Sequence, residues 1–271
     1  MISIASLYVY PVKSCAGIAV ERARVDTPGL VHDREWMIVT PAGRFLTQRE
    51  LPRLALIRTR LDEGVLELGA PEAGPIQVPW DVDGARTDVR VWQDRCTAID
   101  CGEQPAGWLS RILGREVRLV RFAPTERRPS AREWTGDAEG LSRFADAFAL
   151  LTISLASLED LNARLDVPLP MNRFRPNLVL AGSAAYDEDR MHELTAGTVR
   201  LRAVKPCTRC AITTTDQSTG TVDGVEPLRT LKTYRWSNEL RGVMFGQNLI
   251  VLEPGELAVG QALDVSWRQA T

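Results

Sequence analysis

Short strand-like segments recur along the first part of this chain and limit the folds that it can adopt. The runs SIASLYVYPV, GIAVERARVD, REWMIVT, LALIRTRL and VLELG are rich in β-branched and apolar residues, and turn signals such as CAG, TPG, PAG and DEG separate them. Strands at intervals of roughly ten residues are typical of a barrel or a sandwich. VRVWQDRCTAIDC continues the pattern, so we predict a mainly β structure for this half.

The second half predicts more strands together with a few helices. QPAGWLSRILG indicates a short helix that ends at a glycine, and SLASLEDLNARL indicates another that Ser154 or Ser157 caps. The polar segment 123–140, rich in proline, arginine and glutamate, predicts a linker or a long loop. A second β unit opens with FALLTIS, and strands return in NLVLAG, TVRLRAV, CAITTTD, NLIVLE and ALDVSW. We therefore expect a mainly β fold with a few helices (α+β).

Composition argues against a general affinity for nucleic acid or membranes. Among 271 residues, 33 basic and 35 acidic side chains leave a net charge of −2, too little positive charge for nonspecific binding to polyanions. No apolar run approaches the roughly 18 residues that span a bilayer. The amino-terminal MISIASLYVYPVKSC has no basic leading segment and predicts a strand, not a signal peptide. We expect a cytoplasmic protein without nucleic-acid or membrane partners, whose five cysteines are reduced thiols.

Two cysteines three positions apart, Cys207 and Cys210 in KPCTRC, leave three kinds of chemistry open. A closed zinc site normally takes four Cys or His ligands. The two histidines lie at no metal-ligand spacing, and Cys96 and Cys101 are best explained as small buried hydrophobic residues. A redox pair normally lies at a helix amino terminus, whereas the residues after Cys210 favour a strand. The third alternative is a single thiolate that binds a transition metal.

Basic residues beside turns are candidates for binding phosphate. The chain has neither a Walker A sequence nor Gly-x-Gly-x-x-Gly. Lys13 and Ser14 in YPVKSCAG, Arg34 in HDREWMIV and Arg175 in NRFRPNLVL instead combine charge with loop backbone N–H groups. Each of them, taken alone, is more often a solvated surface charge or a salt-bridge partner.

Eight segments taken in order resemble the MOSC family (molybdenum cofactor sulfurase C-terminal domain). They are YPVKSCAG, GLVHDREWMIV, FLTQRELPRLALI, SLASLEDLNARL, MNRFRPNLVLAG, VKPCTRCAITTTDQSTG, EPLRTLKTYR and FGQNLIV, and they cover nearly the whole chain. The order is most similar to that of the bacterial and mitochondrial amidoxime-reducing enzymes. The resemblance implies a MOSC N-terminal β-barrel-like domain over residues 1–122 and a MOSC β-barrel domain over residues 123–268.

The resemblance also implies a molybdenum cofactor, a metal bound to molybdopterin, and a set of residues that hold it. Cys210 falls on the family's metal ligand and is thus the expected catalytic residue, with Cys207 as its neighbour. The implied cofactor contacts are Lys13, Ser14 and Arg34 from the first domain and Arg175, Asn177, Thr208, Arg209 and Asn248 from the second. Asp146 in RFADAF is expected near the metal as a proton donor or as a group that orients bound water; the alternative is an exposed loop acid.

The function implied by the resemblance is reduction of N–O bonds in N-hydroxylated small molecules. Because the remaining cysteines do not supply a four-cysteine cluster, we expect electrons from an external donor, a ferredoxin-like protein or a flavoprotein reductase. One departure concerns cofactor contacts, because Phe148 stands where relatives often carry a hydroxyl side chain. The alternative function is a carrier of persulfide sulfur or of the cofactor that uses the same Cys210. A third is a binding protein without chemistry.

Overall fold

Strands dominate the computed structural model, which describes residues 1–71 and 73–268. In this part of the chain the strands are β1 (Ile2–Val9), β2 (Ile18–Val20), β3 (Arg22–Asp26), β4 (Gly29–Leu30), β5 (Trp36–Val39), β6 (Arg58–Asp62), β7 (Val65–Ala70), β8 (Ala73–Pro79), β9 (Arg86–Val91), β10 (Asp94–Asp100), β11 (Arg118–Phe122), β12 (Leu150–Ser154), β13 (Leu178–Ala181), β14 (Met191–Ala196), β15 (Val199–Thr208), β16 (Trp236–Ser237), β17 (Gly242–Glu253), β18 (Gly255–Ala258) and β19 (Ala262–Trp267).

The helices are fewer and short. The α-helices are α1 (Glu103–Leu113), α2 (Arg132–Thr135), α3 (Leu155–Asn162) and α4 (Leu228–Tyr234). Single 3-10 turns span Pro52–Leu56, Met171–Arg173, Asp187–Asp189 and Ala211–Thr214. No helix in the described ranges is both long and apolar enough to cross a membrane.

Seven strands close into a barrel. Their order is β12-β13-β1-β19-β14-β15-β17, and β17 pairs back onto β12. Closure removes the unpaired edges that an open sheet would expose. Gly246 lets β17 approach β12 closely, since its φ is 84° and a Cβ there would lie 2.7 Å from the carbonyl oxygen of Thr152. The one parallel pair in this barrel, β12 with β13, is connected through α3.

The first strand of the chain is one of the seven strands of this barrel. β1 pairs antiparallel with β13 on one side and with β19 on the other. Leu7 faces Leu178 in the register, and the amide of Tyr8 donates to the carbonyl of Asn177 at 2.9 Å. Residues 2–9 therefore belong structurally to the strands of the second half, while the limits 1–122 and 123–268 stay predictions.

The strand register brings three segments to one end of the barrel and places the last residues of β15 near them. The loop after β1 lies beside the segment before β13, because the two strands run antiparallel. The loop before β12 lies there too, because Thr152 faces Leu178 in the parallel pair. The end of β15 approaches the start of β12 across β17, because Lys205 and Pro206 face Asn248 and Gln247, which in turn face Leu151 and Thr152.

A hydrophobic cluster fills the barrel. Every barrel strand contributes fully or nearly fully buried side chains, among them Leu7, Leu178, Leu194, Leu201 and Leu249. A filled interior is the usual state of small barrels. A second cluster lies between the sheet β5-β11-β10-β9, the sheet β6-β7-β8 and α1 in the first half.

Most predicted elements form, and the exceptions have local causes. α1 ends at Gly114 with a φ of 66°, and Ser154 caps α3 by accepting from the amide of Ser157 at 3.0 Å. The strand predicted over CAITTTD is wrong, because that segment forms the turn Ala211–Thr214. There the hydroxyl of Thr213 donates to the carbonyl of Cys210, and such local bonds compete with strand pairing.

Replacement of Leu7 by alanine tests whether β1 is part of the barrel core. We expect Leu7→Ala to lower the free energy of unfolding by about 2–5 kcal/mol, because it leaves a cavity at a fully buried site. Leu155→Ala is the matched control; its side chain is exposed, and the expected change is within about 0.5 kcal/mol. Urea unfolding followed by tryptophan fluorescence measures both, and equal small effects would contradict the assignment of β1.

Candidate functional site

A cavity opens where these segments meet the last residues of β15. Its volume is about 140 Å³, and it is partly open to solvent. The structure brings every residue predicted for the site to its wall: Lys13, Ser14, Arg34, Asp146, Arg175, Asn177, Thr208, Arg209, Cys210 and Asn248. Cys207, Thr47 and Phe148 also line it.

Two arginines form a cationic wall. The guanidinium groups of Arg34 and Arg175 lie 4.4 and 4.3 Å from the ring centre of Tyr10. Arg34 pairs with Asp33 at 2.6 Å, whereas Arg175 has no ion pair among the described residues and its buried Nη1 has no hydrogen-bond partner there. Burial lowers the pKa of Arg175 to about 10, so the side chain stays protonated at neutral pH. An unused cationic donor is thus held in the wall of the cavity.

Asn177 fixes the position of Arg34. Its Oδ1 accepts from Arg34 Nη1 at 2.9 Å and from the amide of Leu151 at 3.2 Å. Its Nδ2 donates to the carbonyl of Tyr8 and to Asp33 Oδ1. All four hydrogen-bonding positions of the amide are therefore used within the protein, and they connect four segments of the chain.

Three of these residues have strained backbone conformations. Ser14, Arg34 and Arg175 have φ values of 68°, 46° and 55°, in the left-handed region that side chains disfavour. Such residues cost on the order of 1–3 kcal/mol each and persist where the surroundings impose them. Ser14, Arg34 and Arg175 are three of the seven described non-glycine residues with a positive φ, and strained residues of this kind are often found at functional sites.

Lys13 and Asp146 form an ion pair at the cavity. Lys13 Nζ donates to Asp146 Oδ1 and to the carbonyl of Phe144, both at 2.7 Å, and Trp92 Nε1 donates to the same carboxylate at 3.1 Å. Burial lowers the pKa of Lys13. Desolvation acts to raise the pKa of the Asp146 carboxyl, but Lys13 and the hydrogen bonds outweigh it and hold that pKa below its usual range. The Asp146 side chain is nonetheless 60% exposed, so water reaches an ionised carboxylate.

The two neighbouring thiols have different surroundings. Cys207 accepts from Arg209 Nη1 at 3.1 Å and packs against the cluster around Phe174. Arg209 Nη2 donates to the carbonyl of Phe174 at 2.6 Å, which ties the loop of the thiols to the segment before Arg175. Cys210 begins the turn Ala211–Thr214, and Nη1 of Arg49 lies 3.8 Å from its sulfur. Both thiols are free and line the cavity.

Comparison with known proteins decides the family. Residues 1–116 match the family described as MOSC N-terminal beta barrel domain, and residues 140–264 match the family described as MOSC domain. Mitochondrial amidoxime-reducing component 1 of Mus musculus is 36% identical over 95% of this chain and 80% of its own length. The Homo sapiens protein of that name is 36% identical over 95% and 81%, and component 2 of Rattus norvegicus is 34% identical over 95% and 81%. The chain belongs to the MOSC family.

The family predicted from the sequence is therefore confirmed, and so is a mainly β fold with MOSC N-terminal and MOSC domains. The predicted cytoplasmic location stays a prediction, since the names of these relatives are mitochondrial. Segment 117–139 lies between the two family matches.

Cys96 and Cys101 of this MOSC protein are buried as predicted, and Cys15 is buried as well. Cys96 lies in the cluster around β9 and β10, while Cys15 and Cys101 lie in the cluster of the first half. Burial raises their pKa to about 11 for Cys96 and to about 12 for the other two. Cys96 and Cys101 therefore behave as apolar core residues, and in the described ranges no three His, Cys, Asp or Glu residues converge as a metal site.

Sequence reasoning missed a residue that supports the cavity wall. Arg128, in the segment predicted as a linker or long loop, is only 5% exposed. Its guanidinium donates to the carbonyls of Arg143, Ala145 and Asp146 at 2.5–2.9 Å, and its Nε donates to Asp94. The run ERRPSAR carries no local signal that one of its arginines is buried.

Replacement of Arg128 tests this support. We expect Arg128→Leu to lower the free energy of unfolding by about 3 kcal/mol, because it removes buried charged hydrogen bonds. Amide hydrogen exchange over residues 142–147 is expected to accelerate. The neighbouring Arg127, exposed and paired with Glu139, is the control, and Arg127→Leu is expected to change stability by about 0.5 kcal/mol or less. Unchanged exchange in Arg128→Leu would show that residues 142–147 keep their structure without Arg128.

Proposed function

We propose that this MOSC protein reduces N-hydroxylated compounds with a molybdenum–pterin cofactor bound in the cavity. The names of its relatives describe amidoxime-reducing components, and the chain matches about four fifths of their length. The overall reaction consumes two electrons and two protons, converts N–OH to N–H and releases water. The observation that carries the proposal is the convergence of a free thiol and unpartnered cationic donors on one cavity.

The residues present fit such a cofactor. Its phosphate needs cations and directed donors, and Arg175 Nη1 and Arg209 Nε are buried at the cavity without partners among the described residues. A planar guanidinium matches phosphate oxygens in a way that a point charge does not. Cysteine sulfur is a ligand that binds transition metals, and Cys210 places a thiol in the same cavity.

Each residue at the cavity then has a distinct part in binding. We expect Arg34, Arg175 and the loop of Lys13 and Ser14 to bind the anionic end. Asn177 acts by orienting Arg34, since its own amide is fully engaged. The remaining contacts surround the thiol: Thr208, Arg209 and Asn248, whose Nδ2 donates to the carbonyl of Lys205 at 3.1 Å and holds β17 against β15.

The chemical roles follow from the same geometry. When bound, the cofactor supplies the two-electron redox centre, and the protein supplies binding, orientation and electrostatics. Cys210 anchors the metal. Of the two roles expected for Asp146, orientation of water is the better supported, because a carboxyl with a lowered pKa holds no proton at neutral pH.

We further propose that electrons come from a separate ferredoxin-like or flavoprotein donor. Beyond the pair at the cavity, Cys15, Cys96 and Cys101 are buried in two different hydrophobic clusters. They are therefore not arranged as the four thiolates that an iron–sulfur cluster takes.

A carrier function remains the second candidate. It is favoured by the position of Cys210 on an open cavity with the guanidinium of Arg49 nearby. A persulfide or cofactor carrier would use this thiol without catalysing N–O reduction. Metal content separates reduction from sulfur transfer, since a carrier of sulfur works without molybdenum.

Replacement of each thiol in turn tests the proposed reduction. With an aromatic amidoxime and chemically reduced viologen as electron source, we expect Cys210→Ala to reduce product formation to the rate without protein. Molybdenum per protein should fall with it, while circular dichroism stays unchanged.

The matched control is Cys207→Ala, three positions away, which should keep the metal and measurable activity. An unchanged rate in Cys210→Ala would refute the role of this thiol. A wild-type protein that contains molybdenum but reduces no N-hydroxylated compound would favour a carrier of the cofactor.

A further inference from the structure

The hydroxyl of Thr47 is buried at the cavity without a partner. Thr47 is 2% exposed, and its Oγ1 accepts from and donates to no other described atom. Its side chain lines the same cavity as Lys13 and Cys210. A buried hydroxyl without a hydrogen bond destabilises the protein that carries it, so its retention at a cavity wall requires an explanation.

The segment that carries Thr47 is held firmly by its own bonds. The next residue, Gln48, donates to the carbonyl of Ser14 at 2.8 Å. Its side-chain amide also exchanges two hydrogen bonds with that of Gln217, at 3.1 and 2.9 Å. The carbonyl of Thr47 itself accepts from the amides of Glu50 and Leu51, both at 3.0 Å. The unpartnered hydroxyl is therefore not the product of a loose loop.

These bonds place Thr47 between two parts of the site. Ser14 follows Lys13 on the loop after β1, and Gln217 lies in the loop that follows the turn begun by Cys210. Gln48 connects both, so the backbone at Thr47 keeps a fixed position relative to the cationic loop and to the thiol.

The hydroxyl belongs to a set of unused donors on one cavity. Arg175 Nη1 and Arg209 Nε are also buried there without partners in the described ranges. The three groups come from segments far apart in sequence. Guanidinium N–H groups can only donate, and a hydroxyl can donate as well. A ligand that satisfies all three must present several acceptor atoms, as the phosphate and the pterin ring of the cofactor do.

We propose that Thr47 is a further cofactor-binding residue, whose hydroxyl donates a hydrogen bond to an acceptor atom of the anionic pterin cofactor. This inference rests on the proposed function. It adds a contact from the loop after β5, a segment to which neither the sequence motifs nor the resemblance assigns a role.

The proposal predicts opposite effects of one substitution on two measurements. Thr47→Val keeps the shape of the side chain and removes the hydroxyl. The cofactor-free protein should then be equally stable or more stable, because a buried unsatisfied group is gone. Cofactor retention should decrease about tenfold, in line with the loss of one hydrogen bond. If the residue had only a structural role, its replacement would lower stability and cofactor retention together.

Thr135 provides the matched control. It is also 2% exposed and its Oγ1 is also without a partner among the described residues, but it does not line the cavity. Thr135→Val should therefore show the same neutral or higher stability with unchanged cofactor retention. Thr47→Ser, which keeps a hydroxyl, should retain the cofactor better than Thr47→Val.

The experiment uses the full chain produced in a host that synthesises the cofactor. Pterin is measured as its oxidised fluorescent derivative and molybdenum by elemental analysis, at intervals during dialysis. The melting temperature of the cofactor-free form is recorded for every variant. We expect faster loss of pterin and metal from Thr47→Val alone, with no decrease in its melting temperature.

Two results would overturn the inference in different ways. If the wild-type protein is loaded and Thr47→Val keeps the cofactor equally well, or loses it only together with stability, Thr47 is not a binding residue and the proposed function stands. If the wild-type protein binds neither pterin nor molybdenum, the proposed function and the inference fall together.

Discussion

The antiparallel pairing of β1 with β13 places the amino-terminal loop of the chain against the segment that begins more than 160 residues later. Because Leu7 faces Leu178, the residues that follow one strand and precede the other lie at the same barrel end. The bond from the Tyr8 amide to the carbonyl of Asn177 continues this register to the edge of the cavity. The site exists only while β1 remains in the barrel, so the two halves of the chain depend on each other for function.

Several cationic side chains line the cavity, and only some of them form ion pairs with carboxylates of the protein. Arg34 pairs with Asp33 and Lys13 pairs with Asp146, but Arg175 lies over the ring of Tyr10 and has no ion pair among the described residues. Leaving a buried donor unsatisfied costs free energy. A ligand that supplies acceptor atoms offsets this cost. The same donors that lower the stability of the protein alone therefore increase its affinity for such a ligand.

Sequence patterns predicted many of the elements correctly because their signals are local. The glycine after α1 and the serine before α3 act on the nearest turn, where a left-handed φ or a hydroxyl acceptor is needed. The strand predicted over CAITTTD failed for a related reason. Its threonines have strong strand propensity, but their hydroxyls bond to carbonyls of the same turn once β15 has ended at Thr208.

The sequence alone determined the family, the mainly β class and a set of residues that the structure gathers on one cavity. It could do so because the order of the motifs can be recognised without knowledge of the fold. It did not reveal that Arg128 is buried, that the amide of Asn177 is fully engaged or that the hydroxyl of Thr47 is unpartnered. Only the tertiary structure decided these three properties, because burial and hydrogen bonding depend on atoms from distant segments that the strand register brings together. The residue type at one position does not indicate which distant atoms will surround it.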